Sequence, residues 1–241
     1  MANVTAVIFD YYETLAELSQ ETRERAFDEL AVAVGAQLPP GEAFEQYRDL
    51  TTKDWQLRLG GRQRPPLDGV PLDFVSFRDV WLARFGELFV HWGVQAPPAR
   101  GADAYFQAHA TALLYPEARE AIDALRDRYT LAVLSDADAD FLHDNVARNS
   151  LAIDTVISSE EVRAYKPHVS MFREGCARLD VEPAQAVYVG DSAWADVAGA
   201  RHAGLRAVWI NRYLVDWPDD IDPPEAMIAS LDELADTIAQ L

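Results

Sequence analysis

Four short runs of apolar, often β-branched residues constrain the fold of this chain more than any other feature. Nearly every position in each run is apolar, rather than alternate positions, which is typical of a parallel strand buried on both faces. Helical patterns separate the later runs, so strands and helices alternate and predict a doubly wound α/β fold with a parallel sheet. The runs are Val4–Phe9, Thr130–Leu134, Ala186–Val189 and Arg206–Ile210, with a weaker strand near Thr155–Ile157.

A long helical segment interrupts this pattern after the first run. More than 100 residues precede the second run, whereas a crossover between parallel strands needs about a dozen. Stretches rich in Gly and Pro divide the segment into predicted helices: Gln20–Val34, Gly41–Leu59, Phe74–His91 and Ala99–Leu114. We therefore predict an α/β core made of residues 1–15 and 115–241 and an inserted helical cap made of residues 16–114.

The charge and hydropathy of the chain exclude some classes of partner. The formal net charge is −19, and a surface this acidic would repel phosphate backbones, so we expect no nucleic-acid binding. No apolar run approaches the roughly 20 residues that a membrane span needs, and no secretory leader is visible. We expect a cytoplasmic protein that does not bind membranes.

Polar side chains follow three of the predicted strands. Asp10 follows the first, Ser135 the second and Asp191 the third. Because the carboxyl ends of parallel strands meet at one edge of the sheet, these groups are expected at one site. Lys166, one of only two lysines in the chain, is placed to reach the same edge. Each residue alone could be a cap or a solvated loop residue, but together they predict a catalytic site.

The carboxylates of this site require compensation by cations. Two ionised carboxylates about 4 Å apart repel by roughly 4 kcal/mol at an effective dielectric of about 20. Asp10, Asp191 and Asp196 would therefore raise one another's pKa values unless positive charge lies close by. Lys166 supplies one such charge, and Mg²⁺ suits a site made of carboxylates, a backbone carbonyl and water.

Taken in chain order, these residues resemble the four motifs of the haloacid dehalogenase superfamily. The resemblance spans residues 4 to about 211, and the inserted helices are similar to the cap of 2-haloacid dehalogenases. The four matching motifs are Asp10-Tyr11-Tyr12-Glu13-Thr14-Leu15, Ser135, Lys166-Pro167, and Gly190-Asp191 with Asp196.

The resemblance implies a hydrolase, a monomer or homodimer, that acts on a small anionic molecule. Asp10 would attack the substrate and form a covalent aspartyl ester. Ser135 would hydrogen-bond the transferring group, with Asp136 beside it and Arg58 of the cap as further substrate-binding residues. Lys166 would balance Asp10 and the charge that develops during the reaction.

Two of the motifs indicate different reactions. Tyr12 stands where the family's phosphatases carry an Asp that protonates the leaving oxygen, and where its dehalogenases carry Tyr, since halide leaves without a proton. Asp191 and Asp196 instead resemble the acidic metal ligands of the phosphatases, whereas metal-independent dehalogenases usually have Ser and Asn there. Mg²⁺ would be bound by Asp10, the Tyr12 carbonyl, Asp191 and Asp196.

From this combination we expect an Mg²⁺-dependent phosphatase of a small phosphorylated metabolite, in which Tyr12 replaces the usual acid. The first alternative is a 2-haloacid dehalogenase, a reaction in which the residue at position 12 need not donate a proton. A catalytically silent protein that still binds a ligand is the second.

Overall fold

The computed structural model describes residues 3–59 and 63–241, apart from the side chains of residues 54, 57 and 58. Its strands are β1 (Ala6–Phe9), β2 (Ala16–Glu17), β3 (Leu113–Leu114), β4 (Thr130–Ser135), β5 (Thr155–Ser158), β6 (Ala186–Gly190), β7 (Arg206–Ile210) and β8 (Ala226–Ile228). Six of them form a parallel sheet in the order β5-β4-β1-β6-β7-β8. The predicted doubly wound α/β fold is confirmed.

The centre of the sheet brings three strand ends together. β1 lies between β4 and β6, and Phe9 is level with Val133 on one side and Val189 on the other. The backbone N–H of Asp10 continues this pairing by donating to the Val189 carbonyl over 2.9 Å. The chain reverses its direction of winding at β1, and such a switch point is where open α/β sheets bind ligands.

Buried side chains on both faces of the sheet explain the unbroken apolar runs. In β1, Val7 and Phe9 pack on one face and Ile8 packs on the other, and all are fully buried. The helices that cover these faces are α5 (Ala118–Leu125), α6 (Ala139–Arg148), α7 (Ser159–Val162), α8 (Val169–Arg178), α9 (Gly199–His202) and α10 (Leu234–Ile238), which follow the four helices of the insert.

Those first four helices lie between β2 and β3: α1 (Gln20–Val34), α2 (Glu42–Leu59), α3 (Phe77–His91) and α4 (Pro98–Ala110). They pack around the rings of Phe27, Tyr47, Phe85 and Tyr105, whose centroids lie 4.8 to 5.5 Å apart. β2 and β3 pair antiparallel, so the chain enters and leaves this helical unit at neighbouring points. We call this unit the cap; its predicted bounds, 16–114, stay a prediction.

Several predicted elements differ from those observed. The last cap helix ends before Leu113 because that residue pairs in β3, and α3 begins after Ser76, which accepts a hydrogen bond from Asp79 N–H as its N-cap. The helical pattern between the third and fourth apolar runs is in part a π-helical turn, Ala193–Ala198, followed by α9. No described helix is both long and apolar enough to cross a bilayer.

Two glycines in the cap provide a matched test of its packing. A Cβ on Gly101 of α4 would lie 2.2 Å from the Phe85 ring, whereas one on Gly86 of α3 would lie 3.5 Å from Pro98. We expect Gly101→Ala to lower the free energy of unfolding by about 1–3 kcal/mol through overpacking. Gly86→Ala should leave it unchanged or raise it by up to about 1 kcal/mol, because Ala favours helix. Equilibrium urea unfolding measures both, and equal effects would contradict this packing.

Candidate active site

The predicted nucleophile lies at the carboxyl end of β1 with two donors on one of its oxygens. Asp10 is only 8% exposed. The Ser135 hydroxyl, at the end of β4, donates to Asp10 Oδ1 over 2.7 Å, and the Lys166 ammonium lies 2.9 Å from the same oxygen. Both of these contacts fall on Oδ1, so Oδ2 is the oxygen that Asp10 can present to a substrate.

A buried ammonium joins two of the predicted carboxylates. Lys166 Nζ lies between Asp10 and Asp196 and is 2.6 Å from Asp196 Oδ1. Burial alone would lower the pKa of Lys166, but the two carboxylates outweigh burial and hold that pKa well above its usual value. Lys166 is therefore a fixed positive charge, as a residue that balances Asp10 must be.

The turn after β6 holds the other two acidic groups. Asp196 is fully buried and its Oδ2 accepts a hydrogen bond from Ser192 N–H over 2.8 Å. Any side chain at Gly190 would collide with Asp196, because a Cβ there would lie 2.4 Å from its carboxyl carbon. Burial raises the pKa of Asp196 to about 6, although Lys166 opposes that shift.

Asp191 is the carboxylate with the weakest compensation. Its Oδ1 lies 3.5 Å from the Thr14 hydroxyl, and no ion pair joins it to any described residue. Burial, Asp196 and Asp10 together raise the pKa of Asp191 well above its usual value. The oxygens of Asp10, Asp191 and Asp196 lie within 4.8 Å of one another, which is close enough for them to share a cation or a water molecule.

Tyr12 lies two residues after the nucleophile but directs its hydroxyl towards the cap. That hydroxyl donates to the His109 carbonyl of α4 over 3.2 Å, and the ring packs edge-on against Tyr11 and His109. Burial raises the pKa of Tyr12 far above its usual value. Its proton is both engaged and strongly held, so Tyr12 is a poor acid for a leaving group.

Asp136 and Arg58 are the other predicted substrate-binding residues, and the structure describes the side chain of Asp136 alone. Asp136 Oδ1 accepts the backbone N–H of Lys166 over 3.0 Å, which helps to hold the lysine turn in place. Burial raises the pKa of Asp136 to about 7. The side chain of Arg58, in α2, lies outside the described residues, and its role stays a prediction.

Sequence reasoning missed Tyr188, which completes the surroundings of the lysine. Its buried hydroxyl accepts from Lys166 Nζ over 3.1 Å and donates to the Leu134 carbonyl over 2.8 Å. It therefore links β6, β4 and the lysine turn. The only signal in the sequence was a hydroxylated aromatic in the otherwise aliphatic run AVYVG, where a buried Tyr normally needs a polar partner.

Comparison with known proteins agrees with this geometry. A family model for haloacid dehalogenase-like hydrolases matches residues 4–204. The (S)-2-haloacid dehalogenase 1 of Pseudomonas sp. (strain CBS-3) is 29% identical over 246 residues, covering 100% of this chain and 99% of that protein. The structure of the L-2-haloacid dehalogenase of Xanthobacter autotrophicus matches with a TM-score of 0.77 and 22% identity, covering 99% of each chain, which shows the common fold.

The expectation of an Mg²⁺-dependent phosphatase is wrong. A phosphoserine phosphatase of Thermus thermophilus is 35% identical, but over only 55% of this chain and 54% of its own length, whereas the dehalogenase of Pseudomonas matches end to end. Asp191 and Asp196 resemble metal ligands in the sequence, yet Asp196 is already paired with Lys166. The residues of the four motifs lie together at one edge of the sheet. Since the family model also matches residues 4–204, the chain belongs to the haloacid dehalogenase-like hydrolases.

Proposed function

We propose that this protein is a 2-haloacid dehalogenase-like hydrolase, in which Asp10 displaces halide from a small halogenated carboxylic acid. The observation that carries the proposal is the pair of donors on Asp10 Oδ1, from Ser135 and Lys166, which orients the carboxylate and leaves Oδ2 for attack. The end-to-end match to a protein named (S)-2-haloacid dehalogenase supports the substrate class.

In the first step, Asp10 Oδ2 attacks the carbon that bears the halogen. A carbon–oxygen bond forms, the carbon–halogen bond breaks, and the halide leaves with its electron pair. A halide ion is a stable anion that needs no proton. The engaged hydroxyl of Tyr12 is therefore no handicap in this reaction, as it would be in the hydrolysis of an alkyl phosphate.

In the second step, water attacks the carboxyl carbon of the aspartyl ester. Oδ1 then carries the negative charge of the tetrahedral intermediate, and the Ser135 hydroxyl and Lys166 ammonium already lie 2.7 and 2.9 Å from it. These two donors act as an oxyanion hole. Collapse of the intermediate breaks the bond between the Asp10 carboxyl carbon and Oδ2, and the leaving alkoxide takes up one of the two protons of the attacking water to give the hydroxy acid. The other proton passes to solvent, and Asp10 is restored as a carboxylate.

Asp191 is the group best placed to take the proton of that water. Both oxygens of Asp196 are already bound, by Lys166 and by Ser192 N–H. Among the described residues, the Asp191 carboxylate has only the long contact with Thr14. A carboxylate with a raised pKa accepts a proton more readily than an ordinary one. Its oxygens lie close enough to those of Asp10 for one water to bridge them.

The same carboxylates also fit a divalent cation. Asp10 and Asp191 offer carboxylate oxygens that lie close together and would suit Mg²⁺, whereas the neighbouring Asp196 is already paired with Lys166. A bound cation would offset the negative charge of the cluster and polarise an oxygen beside it. We propose that halide release does not depend on it, because Lys166 already neutralises Asp10 and the leaving halide needs no assistance.

An oxygen-labelling experiment tests the covalent step. In a single turnover of 2-chloropropionate in H₂¹⁸O, the lactate should contain no label, because its new oxygen comes from Asp10 and the label enters the carboxyl group of Asp10. Mass spectrometry of product and peptide measures this. Asp10→Asn should release no chloride. Labelled lactate in the first turnover would show direct attack by water and overturn the mechanism.

Replacing Asp191 tests its role as the base. We expect Asp191→Asn to release about one chloride per enzyme rapidly and then to turn over about 10²- to 10⁴-fold more slowly, the usual contribution of a general base. Rapid-quench measurement of chloride resolves the burst, and intact-protein mass spectrometry detects the trapped ester. Steady turnover at the wild-type rate would exclude this role.

Chelation separates metal binding from catalysis. Chloride release should persist in EDTA, while excess Mg²⁺ should raise the melting temperature of the wild type, since a ligand that binds only the folded state stabilises it. Asp191→Asn should lose that shift, and Asp236→Asn on the exposed face of α10 should keep it. Loss of chloride release in EDTA, or Mg²⁺-dependent phosphate release from p-nitrophenyl phosphate without any chloride release, would overturn the proposed function.

A further inference from the structure

A carboxylate of the core binds the first turn of a cap helix. We infer that Asp138 is a positioning residue, which sets the cap over the active site by holding the amino end of α3. Only the kinetic part of this inference rests on the proposed function. The contact itself is a property of the fold.

The geometry of this contact is specific. Asp138 lies three residues after Ser135 and is 3% exposed. Its Oδ1 accepts the backbone N–H of Phe77 over 2.7 Å, and its Oδ2 accepts that of Arg78 over 2.8 Å. The first N–H groups of a helix have no partner within the helix and carry its positive dipole end. Both oxygens of one carboxylate thus bind N–H groups that have no partner within the helix.

This contact is not needed to begin the helix, because α3 has its own N-cap. The hydroxyl of Ser76 accepts a hydrogen bond from Asp79 N–H over 3.1 Å, which caps the helix from within the cap. Asp138 approaches from the opposite side of the cap–core boundary, from the turn between β4 and α6. The Ser76 cap therefore stabilises the helix, and the Asp138 contact fixes where the helix lies relative to the core.

The first turns of α3 carry rings that adjoin the catalytic residues. Phe77 packs edge-on against Tyr165, the residue before Lys166, with centroids 5.6 Å apart. The Trp81 ring stacks on that of Phe141 of α6 with centroids 5.4 Å apart, and its centroid lies 5.0 Å from that of the His109 ring. Since the His109 carbonyl binds Tyr12, a shift of α3 would disturb the surroundings of both motifs that hold the nucleophile and its lysine.

The segment that leads into α3 is docked on the core in the same manner. The carbonyl of Leu67 accepts Val169 N–H over 2.8 Å, and that of Pro65 accepts the Trp194 indole N–H over 3.2 Å. These contacts use backbone groups of the cap segment and neutral donors of the core. The same segment also forms charged contacts with the core, between Arg64 and Asp220 at 3.0 Å and between Asp68 and His202 at 2.8 Å. Asp138 differs from these contacts in that it lies beside the Ser135 turn and binds α3 itself.

The test compares two substitutions at the same helix end. Asp138→Asn keeps the size of the side chain but replaces one acceptor by an NH₂ group, which would face a backbone N–H donor. Ser76→Ala removes the internal cap of α3 and leaves the core contact intact. Both substitutions should weaken the start of the helix and lower the melting temperature. A change in KM that occurs in Asp138→Asn but not in Ser76→Ala therefore reflects more than a loss of stability.

We expect Asp138→Asn to raise the KM for 2-chloropropionate about tenfold and to change kcat by less than about twofold, because a smaller fraction of the enzyme has the cap in its binding position. Ser76→Ala should change KM by less than about twofold. Amide hydrogen exchange should show the Phe77 and Arg78 amides protected in the wild type and in Ser76→Ala, and at least one of them unprotected in Asp138→Asn.

Two results would overturn the inference. One is equal KM values for the two variants at equal loss of melting temperature. The other is unprotected Phe77 and Arg78 amides in the wild type, a measurement that needs no variant to fold. If the wild type releases no chloride at all, the proposed function fails, but the exchange measurement still decides whether Asp138 holds the cap.

Discussion

The buried ammonium of Lys166 is the interaction on which the site depends. It lies 2.9 Å from one carboxylate and 2.6 Å from another, and so joins the end of β1 to the turn after β6. Removal of Lys166 would leave two buried carboxylates without their counter-ion, which is far more unfavourable than the loss of an exposed ion pair. The positions of Asp10, Lys166 and Asp196 are therefore interdependent.

This dependence explains why the acidic cluster can be read in two ways. A carboxylate beside Asp10 suits a metal ion, but the same carboxylate suits an ammonium or a water that must lose its proton. The residue types alone do not distinguish these uses. The contacts do, because the Asp196 carboxylate binds Lys166 and Ser192, whereas the Asp191 carboxylate contacts only Thr14 within the part of the chain that the structure describes.

Much of the fold could be predicted from the sequence because parallel strands buried on both faces have a strong, local pattern. The same rule placed Asp10, Ser135 and Asp191 at one edge, since strand ends in such a sheet converge. Features that depend on contacts distant in sequence could not be predicted. Tyr188 binds Lys166 across the sheet, and the two residues of β2 are too few to show any periodicity.

The orientation of Tyr12 also depends on contacts distant in sequence and could not be predicted. Sequence identifies the residue, but only the packing of α4 against the nucleophile loop directs its hydroxyl to the His109 carbonyl. The π-helical turn after β6 contains Asp196, whose carboxylate contacts Lys166 and Ser192 N–H. Helical periodicity in the sequence does not record these contacts.

The short pairing of β2 with β3 has a consequence for how such a protein can change over time. Because the chain leaves the core and returns to it side by side, a change in the length of the segment between these two points need not alter the path of the core strands. Its helices can be lengthened, reordered or exchanged for others while the spacing of Asp10, Ser135 and Lys166 stays the same. A core with one set of catalytic residues can thereby acquire new substrates when its cap changes.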